Sequence, residues 1–396
     1  MAAAIRARAL ASRCAGLDGA RELAGTSGLD EALRLLAGTP YHSRVRAATS
    51  LPAAQRAVAA TLLWHLRVLA GWLPRGGVTM LRPLAAGFEI ANVAARLRPP
   101  PAAPAPAPTT PPPTEPPHAK APRAGPARGK ATDGEPAARR PATGRPASGE
   151  PASGEPASGE PASGEPASVE PPYAEPADGA GTAPQEPGTT RPAYAVTPVA
   201  PPYDLGALAT AWRGLSQAGT PGALRAALTA SSWGDPGDET PAAILTSMRL
   251  TAALHTAAAV PGARRWAAGR AALLTARERF VHGRAPGAGA RRGATAVLGA
   301  RAVNAATWAD FRHALPPAAA WVVAGVDTPA DLWRAELRWW HTLEADGRSM
   351  AHTVRHDATA VVGAIAVLSA DAWAVRAALA LAARGGARPE VLDALV

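Results

Sequence analysis

Residues 87–98 read GFEIANVAARLR, and the reading of this stretch decides the fold. Phe88, Ala91 and Ala95, with Ile90, Val93 and Leu97, recur at three- and four-residue spacing, the mark of a helix bound for a core. Glu89 and Asn92 stand three apart and so share a face. An acid and an amide on such a helix need partners, because a polar group buried alone is costly. Working outward, Leu62, Leu66, Leu69 and Leu73 form a second helical stripe that stops at Pro74-Arg75-Gly76-Gly77. Apolar residues make up 47% of the 396-residue chain but aromatics only 5%, so most of them are Ala, Leu and Val. Ala and Leu are strong helix formers. No long alternating stretch of β-branched residues occurs. The expected fold class is all-α, about ten or more helices arranged in antiparallel hairpins.

One segment differs in kind. Residues 99–203 lack Leu, Ile and Phe; Pro is dense from Pro99 to Pro117, and PASGE repeats four times from Pro146 to Glu165 before PASVE at 166–170. A segment of this composition cannot bury enough apolar surface to offset chain entropy. It reads as a disordered, semi-stiff spacer, expanded by repetition.

The flanking parts echo one another. LDEALRLLAGTPY at 29–41, TPGALRAALTASSW at 220–233 and TWADFRHALPPAAAW at 307–321 each run from a polar start through a hydrophobe–Arg pair to a break and an aromatic. Arg225 and Arg312 lie 87 residues apart; Arg34 and Arg225 lie 191 apart, and leaving out residues 100–203 brings that spacing to 87 as well. A histidine follows each arginine by about thirty residues: His65, His255 and His341. The expected organisation is therefore a helical repeat at 1–98, the spacer at 99–203, and further repeats at 204–300 and 301–396. Thr220-Pro221, Thr240-Pro241 and Thr328-Pro329 each put a hydroxyl cap before a proline at the first helical position. Thr328 with Asp331, and Ser27 with Asp30, resemble capping boxes with Asp in the acid's place.

The net charge is +10, but it is spread: +8 over residues 1–98, −3 over 99–203 and +5 over 204–396. The arginines are scattered along helices and only Lys120 and Lys130 occur as lysines, so the basic balance does not by itself point to nucleic acid. Cys14 is alone, which excludes an intrachain disulfide or a Cys-based metal cage and suits a reducing compartment. Arg6, Arg8 and Arg13 interrupt any signal-peptide core in MAAAIRARALASRCAGL, and an amphipathic first helix is expected there. The longest strongly apolar uncharged run, Ala358–Ala370, is too short to span a bilayer, so a soluble chain is expected.

Catalytic signatures are scarce. Gly129-Lys130 lacks the glycines of a phosphate loop, and neither GxSxG nor HExxH occurs. HTVRH places His352 and His356 one helical turn apart beside Asp357, but Arg355 opposes a cation, and a solvated helix face is expected rather than a metal site. In DLWRAELRWWHTLEADG at 331–347, Trp333, Glu336 and Trp340 share a face. Core packing is the favoured reading there, with Glu336 available to a buried indole N–H. No nucleophile–base or metal set converges, so no enzyme, catalytic residue, cofactor or metal is expected.

GFEIANVAARLR also carries a resemblance. It is similar to the end of the first repeat in the V-type ATPase d-subunit family, which includes the equivalent stalk-to-ring component of archaeal-type enzymes. That family commonly ends a helix with Phe-Asp-x-x-Asn and a basic residue shortly after; Phe88, Glu89, Asn92 and Arg96 fill those positions here, with Glu in place of Asp. LDEALRLLAGTPY resembles the family's L-x-x-A-L-x-x-L-x-x-T-x-Y opening, with Thr39 and Tyr41 matching. The stretch AVAATLLWHLRVLAGWLPRGG to Arg98, WRAELRWW and LALAARGGA look like an actinobacterial branch. The resemblance covers residues 1–98 and 204–396, and the Pro-rich insertion departs from it. It implies three helical units around a pseudo-threefold axis, forming a funnel. It also implies a non-catalytic member of a proton- or sodium-translocating rotary ATPase, joining the central stalk to the membrane rotor ring. That member is cytoplasmic, peripheral to the inner face of the plasma membrane, without nucleic acid, and touches the membrane only through the ring. Glu89, Asn92 and Arg96 then become candidate partner-contact or inter-repeat polar positions. A helical-repeat scaffold no longer part of an ATPase is the alternative.

Overall fold

Helix-forming Ala and Leu, punctuated by Pro, Gly and hydroxyl caps, give a chain in which every regular element among the described residues is helical. The computed structural model describes residues 2–45, 50–98, 201–353 and 357–386. Almost all of the expected spacer, with its PASGE repeats, lies outside them, as do His356 and the last ten residues. Twelve described helices have seven residues or more: α1 (Ala2–Ala11), α2 (Gly16–Ala24), α3 (Leu29–Leu36), α4 (Leu51–Trp72), α5 (Arg75–Leu97), α6 (Pro221–Thr229), α7 (Pro241–Ala259), α8 (Arg264–Ala276), α9 (Ala288–Leu298), α10 (Trp308–Ala314), α11 (Leu332–Ala351) and α12 (Ala358–Ala382).

Many boundaries follow the sequence signals. The Thr220 and Thr240 hydroxyls accept the backbone N–H groups of Ala223 and Ala243 at 3.1 and 3.3 Å. Two boxes close differently from expectation. Ser27 donates its N–H and hydroxyl to Glu31, at 2.9 and 2.7 Å, rather than engaging Asp30, because α3 begins one residue later than a Ser27 cap requires. Thr328 gives its hydroxyl to the Asp331 carboxylate at 2.9 Å and caps no backbone N–H with it; the Asp331 N–H goes to the Thr328 carbonyl at 3.1 Å.

The core centres on α12. Asp357 caps it, and α1, α2, α4 and α11 pack around it. Twenty of its 25 residues are buried. A long apolar helix that also carries Asp371 and Arg376 corrects the expectation from the run Ala358–Ala370: α12 is long and apolar enough to cross a bilayer, with mean hydropathy 1.7. The uncharged run stops at Asp371, whereas the helix passes through that charge because the N-terminal segment supplies its partners, the Gly16 N–H and the Tyr41 hydroxyl. Its apolar stretch is 89% buried within the protein, as in a core helix.

Small residues set the closest contacts. A Cβ on Gly363 of α12 would fall 2.5 Å from the backbone of Ala351 and Gly347 on α11, so glycine is what lets these two helices touch. Their contacts, Gly347 with Gly363 and Trp340 with Trp373, run in opposite senses, an antiparallel hairpin as expected. By contrast α7 and α9 run parallel: Gly289 meets Ser247 and Gly293 meets Leu250, with α8 making the return.

Candidate functional site

Helix α5 carries Glu89, Asn92 and Arg96 along one side, and all three turn toward the segment that begins at residue 201. Glu89 is 1% exposed and Asn92 2%. The Glu89 carboxylate accepts the backbone N–H groups of Thr210 at 2.6 Å and Ala211 at 2.8 Å, and the Trp233 indole N–H at 2.9 Å. Asn92 pairs with the backbone of Tyr203 from both ends of its amide: its N–H donates to the carbonyl at 3.0 Å and its oxygen accepts the N–H at 2.6 Å. Arg96 donates to the Ala218 carbonyl, and partial burial draws its guanidinium below the usual range. Every polar need of a buried carboxylate and amide is thus met inside the chain, which is the condition for tolerating them.

The same segment is fastened further back. Arg56 on α4 donates to the Pro201 carbonyl and lies 4.2 Å over the Tyr203 ring, which meets Phe88 edge-on at 5.3 Å. Arg67 pairs with Asp204 at 2.7 Å and Arg82 donates to the Ala207 carbonyl at 3.1 Å. The chain leaves α5 at Arg98 and is pinned again at Tyr203 beside Asn92, about 9 Å back along the helix at 1.5 Å per residue.

A second carboxylate, absent from the sequence-derived candidates, is held alike. Asp371 on α12 accepts the Gly16 N–H at 2.7 Å and the Tyr41 hydroxyl at 2.7 Å. Gly16, with φ of 69°, sits in the left-handed region where glycine is the ready choice. Burial pushes the Asp371 carboxyl above the usual carboxylate range, against the pull of the Tyr41 hydroxyl and of the Gly16 and Ala15 N–H groups. Burial, then Asp371, raises the Tyr41 phenol, and the same two causes raise the Cys14 thiol, which makes it a poor nucleophile. The signal in the sequence is a single acid inside the longest apolar helix.

The turns that present the ring donors correspond atom for atom. After α3, the Thr39 hydroxyl donates to Leu36 O at 2.7 Å and accepts the Tyr41 N–H at 3.3 Å. After α6, the Ser231 hydroxyl donates to Leu228 O at 2.7 Å and accepts the Trp233 N–H at 3.2 Å. Leu36 and Leu228 are both fully buried, as are Ala32 and Leu224 one turn earlier. This register is one residue out of step with the Arg34–Arg225 pairing, because buried side chains fix it and the arginines lie outside: Arg225 pairs with Asp235 at 2.8 Å while Arg34 reaches only its own Asp30 carbonyl at 3.5 Å. Phe311 and Leu315 on and after α10 are buried in the same rhythm, but Ala318 and Ala320 stand where Ser231 and Trp233 would fall.

Other expected positions resolve plainly. Trp340 is buried and stacks on Trp373 at 5.1 Å, while Trp333 is half-buried under Arg334. Glu336 serves no indole; it pairs with Arg277 at 2.5 Å, and the indoles of Trp339 and Trp266 donate instead to Trp266 O and to Asp346, each at 2.9 Å. His65 is buried and held neutral, its pKa lowered by burial to about 4, and His255 lies against Trp233 at 6.3 Å. His352 ends α11, and the HTVRH pair cannot be described because His356 lies outside the described residues. Among the described residues no group of three His, Cys, Asp or Glu side chains gathers as metal ligands would. Compared with protein-family models, with curated proteins and with solved structures, the chain has no match.

Proposed function

We propose that this chain is a non-catalytic coupling subunit of a proton- or sodium-translocating rotary V-type ATPase, seated between the central stalk and the membrane rotor ring. The observation that carries the reading is the repeated latch. One helix–turn–aromatic unit is locked to Glu89 near the end of α5, and another to Asp371 in α12. Units joined in this way, with the last long helix gripping the first segment, suit three helical repeats closed around a pseudo-threefold funnel, the third unit having lost its turn. A body that passes torque between two partners must keep helix register under load, and buried, satisfied polar contacts fix register where apolar packing alone permits sliding. Glu89, Asn92 and Arg96 act in this reading as inter-repeat positions, since their partners are Thr210, Ala211, Trp233, Tyr203 and Ala218. Partner surfaces are sought elsewhere: Trp64 and Trp72 on α4 are 46% and 52% exposed, unusual for so large an apolar side chain.

Affinity capture of the chain from detergent-solubilised membranes, read by mass spectrometry, tests the proposal. Recovery of V-type catalytic, stalk and ring components is expected, with no ATP turnover by the purified chain. Failure to recover them from an extract that contains them favours a scaffold outside the ATPase, a reading that the internal use of the family-matching residues also suits. Recovery lost on Trp64→Ser and Trp72→Ser together would place the contact on α4.

A further inference from the structure

Helices α5, α7, α8, α11 and α12 leave between them a cavity of about 140 Å³. Its walls are mostly apolar: Leu84 and Ile90 from α5, Leu274 from α8, Trp339 and Leu343 from α11, Ile365 from α12. An engineered apolar cavity of roughly this size stays dry and accepts a benzene-sized molecule. This one differs because two arginines, Arg249 on α7 and Arg270 on α8, also line it.

Arg270 is the unusual member. It is half-buried on the cavity wall, and a guanidinium drawn partly from water among apolar side chains ordinarily has a carboxylate on it. The nearby carboxylate, Glu336, is already engaged by Arg277 at 2.5 Å, at the start of a π-helical turn that continues α8. Among the described residues Arg270 forms neither an ion pair nor a hydrogen bond; its guanidinium carbon lies 5.8 Å from the centre of the Trp339 ring. Burial draws its pKa down to about 10 despite the pull of Glu336, and the Arg277 and Arg249 charges add to the depression. The charges acting on Arg270 are thus Arg277 and Arg249 against the single carboxylate of Glu336. What the site lacks is an anion with an apolar body.

We propose that this cavity binds a small organic carboxylate, its carboxylate paired with Arg270 and its apolar body against Trp339, Leu274 and Ile365. The Ser369 side chain, on the same walls, offers a hydroxyl to the carboxylate end, whereas that of Thr256 is already given to the Ala252 carbonyl at 2.8 Å. An inorganic anion would leave the apolar walls unused, and a neutral hydrocarbon would leave Arg270 unpaired.

Calorimetric titration of the full chain with benzoate, benzyl alcohol and inorganic phosphate tests this. Benzoate is expected to bind at least about tenfold more tightly than its uncharged isostere, the worth of one charge-assisted pair, and phosphate to give no saturable binding. Arg270→Met is expected to erase the preference for benzoate over benzyl alcohol, and benzoate to raise the melting temperature of the wild type but not of that variant. Ala252→Leu, which adds bulk to a half-buried wall position without touching Arg270, is expected to abolish binding of both aromatic probes. If Arg270→Met fails to fold, Ala252→Leu and the benzoate–benzyl alcohol comparison still decide. Absence of benzoate binding, equal affinity for the two isosteres, or a preference that survives Arg270→Met overturns the proposal. None of these outcomes depends on whether ATPase components are captured.

Discussion

Glu89 and Asp371 do the same job under different conditions. Each takes backbone N–H groups and one ring donor from a segment remote in sequence, and each is nearly inaccessible. Glu89 has company: Asn92 and Arg96, one and two turns on, grip the same incoming segment, so the load is shared along α5. Asp371 is the one acid on its helix, among apolar neighbours, with Glu344 adding to the burial that opposes its charge. The difference teaches that one hydrogen-bonding device can be strong in a polar stripe and costly in an apolar one.

The largest expected effect follows at Glu89. Glu89→Ala strands two backbone N–H groups and an indole N–H, and should lower stability by roughly 3–5 kcal/mol, measured by urea unfolding. Asp371→Ala removes similar bonds but also removes a carboxylate that burial disfavours, so a smaller loss of roughly 2–3 kcal/mol is expected. An equal or greater loss at Asp371 breaks the comparison.

Next comes pH. A carboxyl whose pKa is higher in the folded than in the unfolded chain binds protons more tightly when folded. Its stabilising contribution is therefore complete below the unfolded value and fades as pH rises through the folded one. Acidification should thus favour the fold at Asp371, while His65 acts with opposite sign. Buried neutral with a pKa near 4, it loses its contribution as pH falls from about 6.5 through about 4. The difference between wild type and Asp371→Asn isolates the first term; a stability difference between them that is flat across acidic pH contradicts the burial of Asp371.

The smallest effect sharpens the likeness. Thr39→Ala and Ser231→Ala each remove the hydroxyl that shapes the aromatic turn, and each should cost about 0.5–1.5 kcal/mol. Closely matched values mark the turns as equivalent; a large cost at one and none at the other separates them.

Some of this is legible in the residues. The Thr220 and Thr240 caps, the Leu62–Leu66–Leu69 stripe and the polar pair on α5 are local patterns, and local patterns survive folding. The partners of Glu89 lie more than 120 residues away across a segment with no helical signal, and nothing in GFEIANVAARLR names Trp233 or Thr210. Asp371 escapes a sequence reading because a hydrophobic run is read as ending at a charge. The arginine echo sets the register one residue out because exposed side chains repeat by composition, whereas Leu36 and Leu228 repeat by burial.

The bond from Tyr41 to Asp371 spans 330 residues. On a ribosome adding roughly 5–20 residues per second, the segment holding Tyr41 waits about 15 to 65 s before its acceptor is made. During that interval α2 and α3 have no α12 to cover them, and their leucines are open to chaperones or to neighbouring nascent chains. Assembly of this protein is therefore sensitive to elongation speed and to crowding on polysomes in a way that a chain latched to its near neighbours would escape.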